Sequence, residues 1–394
     1  MADIATRKGE VVFAAEQTDI DTFVMPTSSG TILVTSPPEF TQEPVIAEND
    51  EMTDSYAEQP GSFCGYNMGQ FKITCNFKMS GSPGVLSPIH PLLLSWRGRH
   101  QVNSGVDVRY YHYRKDVDPK VYLSFVVKKQ LYTEYITGAV INSGDLKVVA
   151  KKIQTIEFSG LFKKKVRAGR ALLLSQIDGT TTPVTEIPFK DAEDYKNFDG
   201  DAYCVVGTDD NSGNGFKILS IDETNNKMTI EDGVTTVQDA DAIIRGFTPV
   251  AVESGVDATS TFGWVTLNTG AAGDRDVGIT EAAHKCENGF KALDDIAYDS
   301  HFTGEVGTDS RKVTIDITKY FAVKDLGLDF DIKKQTDIVV KLNIGKESGA
   351  SAVIEMPKTR VLKASESGSP EVKKQPSHQC YPDTGDDESI LILK

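Results

Sequence analysis

Cysteine is scarce in this chain and shows no pairing pattern. Cys64, Cys75, Cys204, Cys286 and Cys380 are the five among 394 residues, an odd number with no C-x-x-C. That argues against a secreted disulfide framework and for reduced thiols in a cytoplasmic setting. No apolar run approaches the roughly 18 residues that a membrane-spanning helix needs. The first residues carry Asp3, Arg7, Lys8 and Glu10 in place of the apolar core of a signal peptide. A soluble protein with no membrane anchor, made inside a cell, is expected. Positive charge is also short: 42 Lys and Arg stand against 57 Asp and Glu, a net charge of −15. A duplex-DNA binder needs the opposite balance, because it neutralises phosphates with cations.

Catalytic signatures are missing as well. There is no G-x-S-x-G, H-E-x-x-H, P-loop or G-x-G-x-x-G. No catalytic residue, cofactor-binding residue or metal ligand is therefore assigned, and the chain is not expected to be an enzyme. Asp210, Ser212, Asn214 and Gly215 open like a calcium loop, but Ile221 stands where a bidentate Glu is required. A hairpin turn is expected there. His284 and Cys286 share one strand face, with His301 downstream, yet no second pair completes a zinc site. Asp294-Asp295 and Asp386-Asp387-Glu388 read as solvated turns, since glycosidase carboxylates must converge across a cleft. Tyr110, Tyr111 and Tyr113 read as packing residues rather than a stacking platform for sugars or bases. Lys163, Lys164, Lys165, Arg167 and Arg170 form a basic cluster, read as a solvated strand end rather than a polyanion site.

What the chain does have is alternation. In residues 70–78, Phe71, Ile73, Cys75 and Phe77 alternate with Lys72, Thr74, Asn76 and Lys78, the period of a strand with one buried face. SGSPG (80–84) stops that strand, and a short helix is expected to follow, with Pro88 in its first turn and Leu92, Leu93, Leu94 and Trp96 for burial. Residues 312–321 repeat the pattern with Val313, Ile315 and Ile317, and 339–361 reads strand, glycine turn, strand. Two such modules at the two ends suggest a duplicated sheet with something between them.

The strand with SGSPG and PLLL (91–94), the late strand, IGKESGASAVIEMP (344–357) and a terminal strand, in that order, resemble the tail tube proteins of long-tailed bacteriophages. GAVINSGDLKV (138–148) is similar to the same family. The resemblance covers most of 1–165 and 262–394 and rests on apolar spacings and turns. It implies an all-β fold, a tail-tube-type β-sandwich or barrel core with a short helix. It further implies a virion protein, synthesised in the bacterial host cytoplasm. Stacked rings, usually hexameric, would form the tail tube that conducts DNA on ejection. Partners implied are further copies of the chain and the tape measure, terminator, baseplate and sheath proteins, with DNA passing through the lumen unbound. Asp316 and Thr318, on the polar face of a core strand, are candidates to face the lumen. The other readings are a tail terminator or baseplate ring protein and a carbohydrate-binding β-protein.

Three parts are expected: 1–170 and 251–394 as the two parts of the core, and 171–250 as an inserted small β-barrel domain on the tube exterior that buries its own apolar positions. The arm at 1–35, the acidic segment 38–60 (read as a surface loop) and 107–118 are the expected contact regions. Residues 138–144 and 145–162 are read as separate strands and 389–393 as a final strand paired within the core, while 364–370 is Ser- and Gly-rich.

Overall fold

A computed structural model describes residues 10–47, 62–114, 117–259, 263–268, 274–293, 305–320, 334–367, 372–383 and 385–394. Among them no helix is long and apolar enough to cross a membrane. The fold is mostly β. In the first part the main strands are β1 (Val11–Gln17), β2 (Glu39–Thr41) and β3 (Gly69–Asn76), followed by α1 (His90–Arg97). Then come β4 (Tyr122–Lys128), β5 (Thr133–Val149) and β6 (Thr155–Phe162). All neighbours are antiparallel, in the spatial order β2-β3-β6-β5-β4-β1.

The last part repeats this order strand for strand. It contains β7 (Gly263–Asn268), β8 (Glu281–Glu287), β9 (Lys312–Tyr320), β10 (Ile338–Ile344), β11 (Ala352–Ser367) and β12 (Lys373–Cys380). They lie as β8-β9-β12-β11-β10-β7. The irregularities repeat too. The β5–β6 ladder shifts register between Ile141 and Ser143, and the β11–β12 ladder between Val361 and Lys363. The β4–β5 ladder shifts between Leu123 and Phe125, and the β10–β11 ladder between Ile338 and Val340. A hairpin separates the second and third strands in each half, Pro44–Ala47 with Ser62–Tyr66 and Phe290–Leu293 with Glu305–Thr308. After the sixth strand, Lys164–Ala168 returns to the start of β5 and Ile390–Leu393 returns to the start of β11. Bulges are positional features of a fold, so two at matching places mark the halves as two copies of one module.

Apolar alternation explains the core. Leu123, Phe125 and Val127 of β4, Phe71, Ile73 and Cys75 of β3, and Ile315 and Ile317 of β9 all enter one cluster with Leu92, Leu93 and Trp96 of α1. Both modules share that cluster, so they form one body. Pro91, not Pro88, sits in the first turn of α1, where its missing N–H costs no helical bond. Residues 138–144 and 145–149 are one strand rather than two. β5 runs for 17 residues through Gly138, whose φ of +69° only glycine adopts freely.

Between the modules, residues 170–246 form a second sheet, in the order Arg170–Leu172, Ile243–Gly246, Tyr203–Val206, Phe216–Asp222, Lys227–Val234 and Val184–Pro188. The ends meet: the Lys190 N–H donates to Leu172 O (2.9 Å) and the Leu174 N–H to Pro188 O (3.1 Å). This closes a small barrel. Its apolar cluster is not self-contained, contrary to expectation. Phe13 of β1, Val126 of β4 and Tyr135 of β5 are buried in it, with Phe23 and Met25 packed alongside. The reason is that β1, β4 and the first half of β5 are apolar on both faces, one toward the core and one toward the barrel. Tyr135 also donates its hydroxyl toward the carbonyls of Tyr203 (2.6 Å) and Phe247 (2.7 Å).

Other expectations change in detail. Part of 38–60 is strand: β2 lies in the main sheet, and Pro44–Ala47 is in a hairpin, while 48–61 lies outside the described residues. Within the Ser- and Gly-rich stretch, Ala364–Ser367 ends β11, and 368–370 lies outside the described residues. Residues 99–111 form a hairpin, Arg99–Asn103 with Asp107–Tyr111. The final strand Ile390–Leu393 pairs on both sides, with β11 and with Asp107–Tyr111.

Candidate assembly interface

The two modules meet along a sheet edge. The second half of β5 pairs with β8 from Ser143↔Glu287 to Val149↔Glu281. This joins the fifth strand of one module to the second strand of the next, and seven backbone partners hold it. Gly144 in that stretch lets Trp96 come close: a Cβ there would lie 2.4 Å from the indole Cε2. The indole Nε1 in turn donates to Cys286 O (3.2 Å) on β8. Asn288 Nδ2 donates to Trp96 O (2.8 Å) and to Ile141 O (3.1 Å). Helix α1 of the first module is thus fastened to the seam.

Behind the seam is a buried polar knot. Arg97 Nη1 donates to Ser389 Oγ (2.7 Å) and lies 2.9 Å from His112 Nε2. Ser389 Oγ is 2.9 Å from His112 Nε2 and 3.2 Å from His284 Nε2. Arg97, His112, His284 and Ser389 are all fully buried. Burial pushes the Arg97 guanidinium down to about 10, with the Cys286 thiol acting the other way. Burial, reinforced by Arg97, holds both imidazoles well below their ordinary value, so they are neutral. Burial pushes the Cys286 thiol up to about 11. A hydroxyl at hydrogen-bond distance from an imidazole is the geometry of an activated nucleophile. Here every member is sealed from solvent, and what the contacts join is α1, the Asp107–Tyr111 hairpin, β8 and the terminal strand.

Each module leaves one equivalent edge open. β5 is flanked by β8 along 143–149, but among the described residues the matching stretch of β11, 363–367, pairs only with β12. β8 is flanked on both sides, but among the described residues β2 pairs only with β3. The edge at β2 is guarded: Pro37 and Pro38 precede it, and Lys165 Nζ occupies Phe40 O at 3.0 Å. Lys165 also helps line a cleft of about 670 Å³ with Gln42, Glu134 and Arg167. Two more of the basic cluster are engaged, Lys163 with Asp21 (2.6 Å) and Lys164 with Asp201 (2.6 Å).

Asp316 is exposed and Thr318 half-buried on the polar face of the sheet, as their alternation requires. That face is not purely acidic. Lys72 pairs with Glu157 (3.1 Å), Lys147 with Asp145 (3.6 Å), and Lys285 with Glu287. Tyr110 and Tyr113 are buried, with hydroxyls bonded to His90 Nδ1 (2.8 Å) and Ser95 O (2.8 Å). Tyr111 lies under the Arg99 guanidinium. Asp210 closes a tight turn, its carboxylate accepting from the Gly213 N–H (3.0 Å), and Ile221 lies in the following strand. His284 and Cys286 belong to the knot, while His301 and Asp294-Asp295 lie outside the described residues. Asp386 and Glu388 converge on Arg311 at 2.8 and 2.9 Å. Of the knot only His284 and Cys286 stand out in the sequence, because its other members, Arg97, His112 and Ser389, come from separate segments. No protein-family model matches the chain, and no curated protein matches it.

Proposed function

We propose that the chain is a structural subunit of a bacteriophage tail tube that works by polymerising edge to edge into rings which stack. The observation that carries this reading is the β5–β8 seam together with the two open edges that correspond to it. A sheet that already joins one module to the next can continue from chain to chain, and unpaired N–H and C=O groups on both edges supply the driving force. The fold would be a tail-tube-type core in two modules, with the 170–246 barrel on the outside as a decoration. The polar face carrying Asp316 and Thr318 would line the lumen, where ion-paired lysines give DNA little to bind. The implied partners are the tape measure, terminator, baseplate and, in a contractile tail, sheath proteins. The test is electron microscopy of the purified chain, with long tubes of constant inner diameter as the expected result. Isolated rings that never stack would instead favour a terminator or baseplate ring, and a monomer at every concentration would defeat both.

A further inference from the structure

Resting on that ring-forming reading, we infer that residues 363–367 of one chain pair with residues 39–43 of a second copy. Intrachain and interchain seams would then alternate around the ring. Because each chain fills two module positions, a ring of six modules contains three chains, not the six expected from the family resemblance.

The intrachain seam fixes the register. In β5 the shift at Ile141/Ser143 matches that of β11 at Val361/Lys363, so Ser143 corresponds to Lys363 and Asp145 to Ser365. β2 and β8 are matched by their partners on β3 and β9. Thr41 lies opposite Gln70, and Lys285 opposite Thr314. Gln70 and Thr314 are themselves equivalent through Leu161 and Gln379. Two residues beyond Thr41 and Lys285 stand Glu43 and Glu287. Carrying the pairs Ser143↔Glu287 and Asp145↔Lys285 across places Lys363 opposite Glu43 of the second copy, and Ser365 opposite its Thr41. Both Lys363 and Glu43 are exposed in the single chain. Opposite charges directly across a ladder favour that register, and the like-charged slip is disfavoured. Pro37 and Pro38 confine the ladder to 39–43, so the interchain seam is shorter than the seven-residue intrachain one. Lys165 must leave Phe40 O when the seam forms, which keeps the free edge from pairing promiscuously.

The experiment compares the wild-type chain with K363E, E43K and the double variant, using electron microscopy and mass measurement of the particles. Both positions are exposed, so an unchanged melting temperature verifies that each variant folds. Wild type should give rings of three times the 43.0 kDa chain mass. Each single reversal should lower ring yield at least tenfold, and the double reversal should restore it. Rings indifferent to both single reversals, or single defects not repaired in the double variant, would overturn the seam. Six chains per ring would overturn the count while leaving the tube reading standing. Head-to-tail oligomers that obey the charge swap but never close into rings would keep the seam and remove the tube reading.

Discussion

At the scale of residues, the buried histidines set a pH dependence. In the unfolded chain an imidazole titrates near 6.5. In the fold, burial holds His90 and His378 at about 4, and His112 and His284 well below their ordinary value. Below pH 6.5 the unfolded state therefore binds protons that the native state refuses. The stability these groups contribute is complete above pH 6.5 and falls as pH drops toward 4, by up to about 1.4 kcal/mol per pH unit for each histidine. Glu16 and Asp145, both raised by burial, act in the opposite sense and offset part of the loss at the acid end. Urea melts from pH 7.5 to 4.5 should show the midpoint falling steeply below 6.5, and a flat profile would mean that the knot takes up protons. A steric prediction belongs to the same place. Gly144→Val pushes a side chain into the Trp96 indole and should cost about 1–3 kcal/mol, read as a lower unfolding midpoint with reduced tryptophan burial. A variant as stable as wild type would show that the helix does not pin the seam.

At the scale of elements, the long alternating strands were legible and the ends of the sheet were not. β3, β9 and the strand around Trp264 follow apolar periods of two, which water alone dictates. β2 was hidden because it is three residues long between prolines, and only its partner strand makes it a strand. β12 (KKQPSHQC) was hidden because its buried positions are Lys374, Pro376, His378 and Cys380, not a hydrophobic alternation. The seam itself was out of reach, since it needs the pairing of residues more than a hundred apart. The barrel was visible as a change in texture, but its dependence on β1, β4 and β5 was not. A variant joining Arg170 to Ala251 by a short Gly/Ser linker therefore exposes Phe13, Val126 and Tyr135, at about 1.5–3 kcal/mol for each side chain. It is expected to aggregate or melt lower. Phe13→Ser, Val126→Thr and Tyr135→Gln in that same variant should recover solubility. A simple deletion that stays soluble with unchanged melting would show that the shared cluster contributes nothing.

At the scale of the molecule, the question is what a polyanion meets. Duplex DNA carries one negative charge per ~1.7 Å and is held by cations that displace its counterions. The chain carries −15 overall, and on the polar face of the sheet Lys72, Lys147 and Lys285 each have a carboxylate partner. Lys285 also feels Asp145 and Glu157, so these charges form a connected lattice instead of separate cations. Such a face gives DNA no net attraction and only weak repulsion, the condition for sliding past a wall. Wild-type protein at micromolar concentration should leave a duplex unshifted in a gel at physiological salt. Glu157→Gln together with Glu287→Gln removes two of the partners and should create weak binding that disappears steeply as salt rises, since each released lysine adds roughly one to the salt slope. Retardation by the wild-type chain, lost at high salt, would mean that unpaired cations reach the surface and that the face holds DNA instead of letting it pass. Equal indifference of the wild type and the double variant would place the ion pairs away from any surface a duplex can reach, and with them the assignment of that face to the lumen would fall.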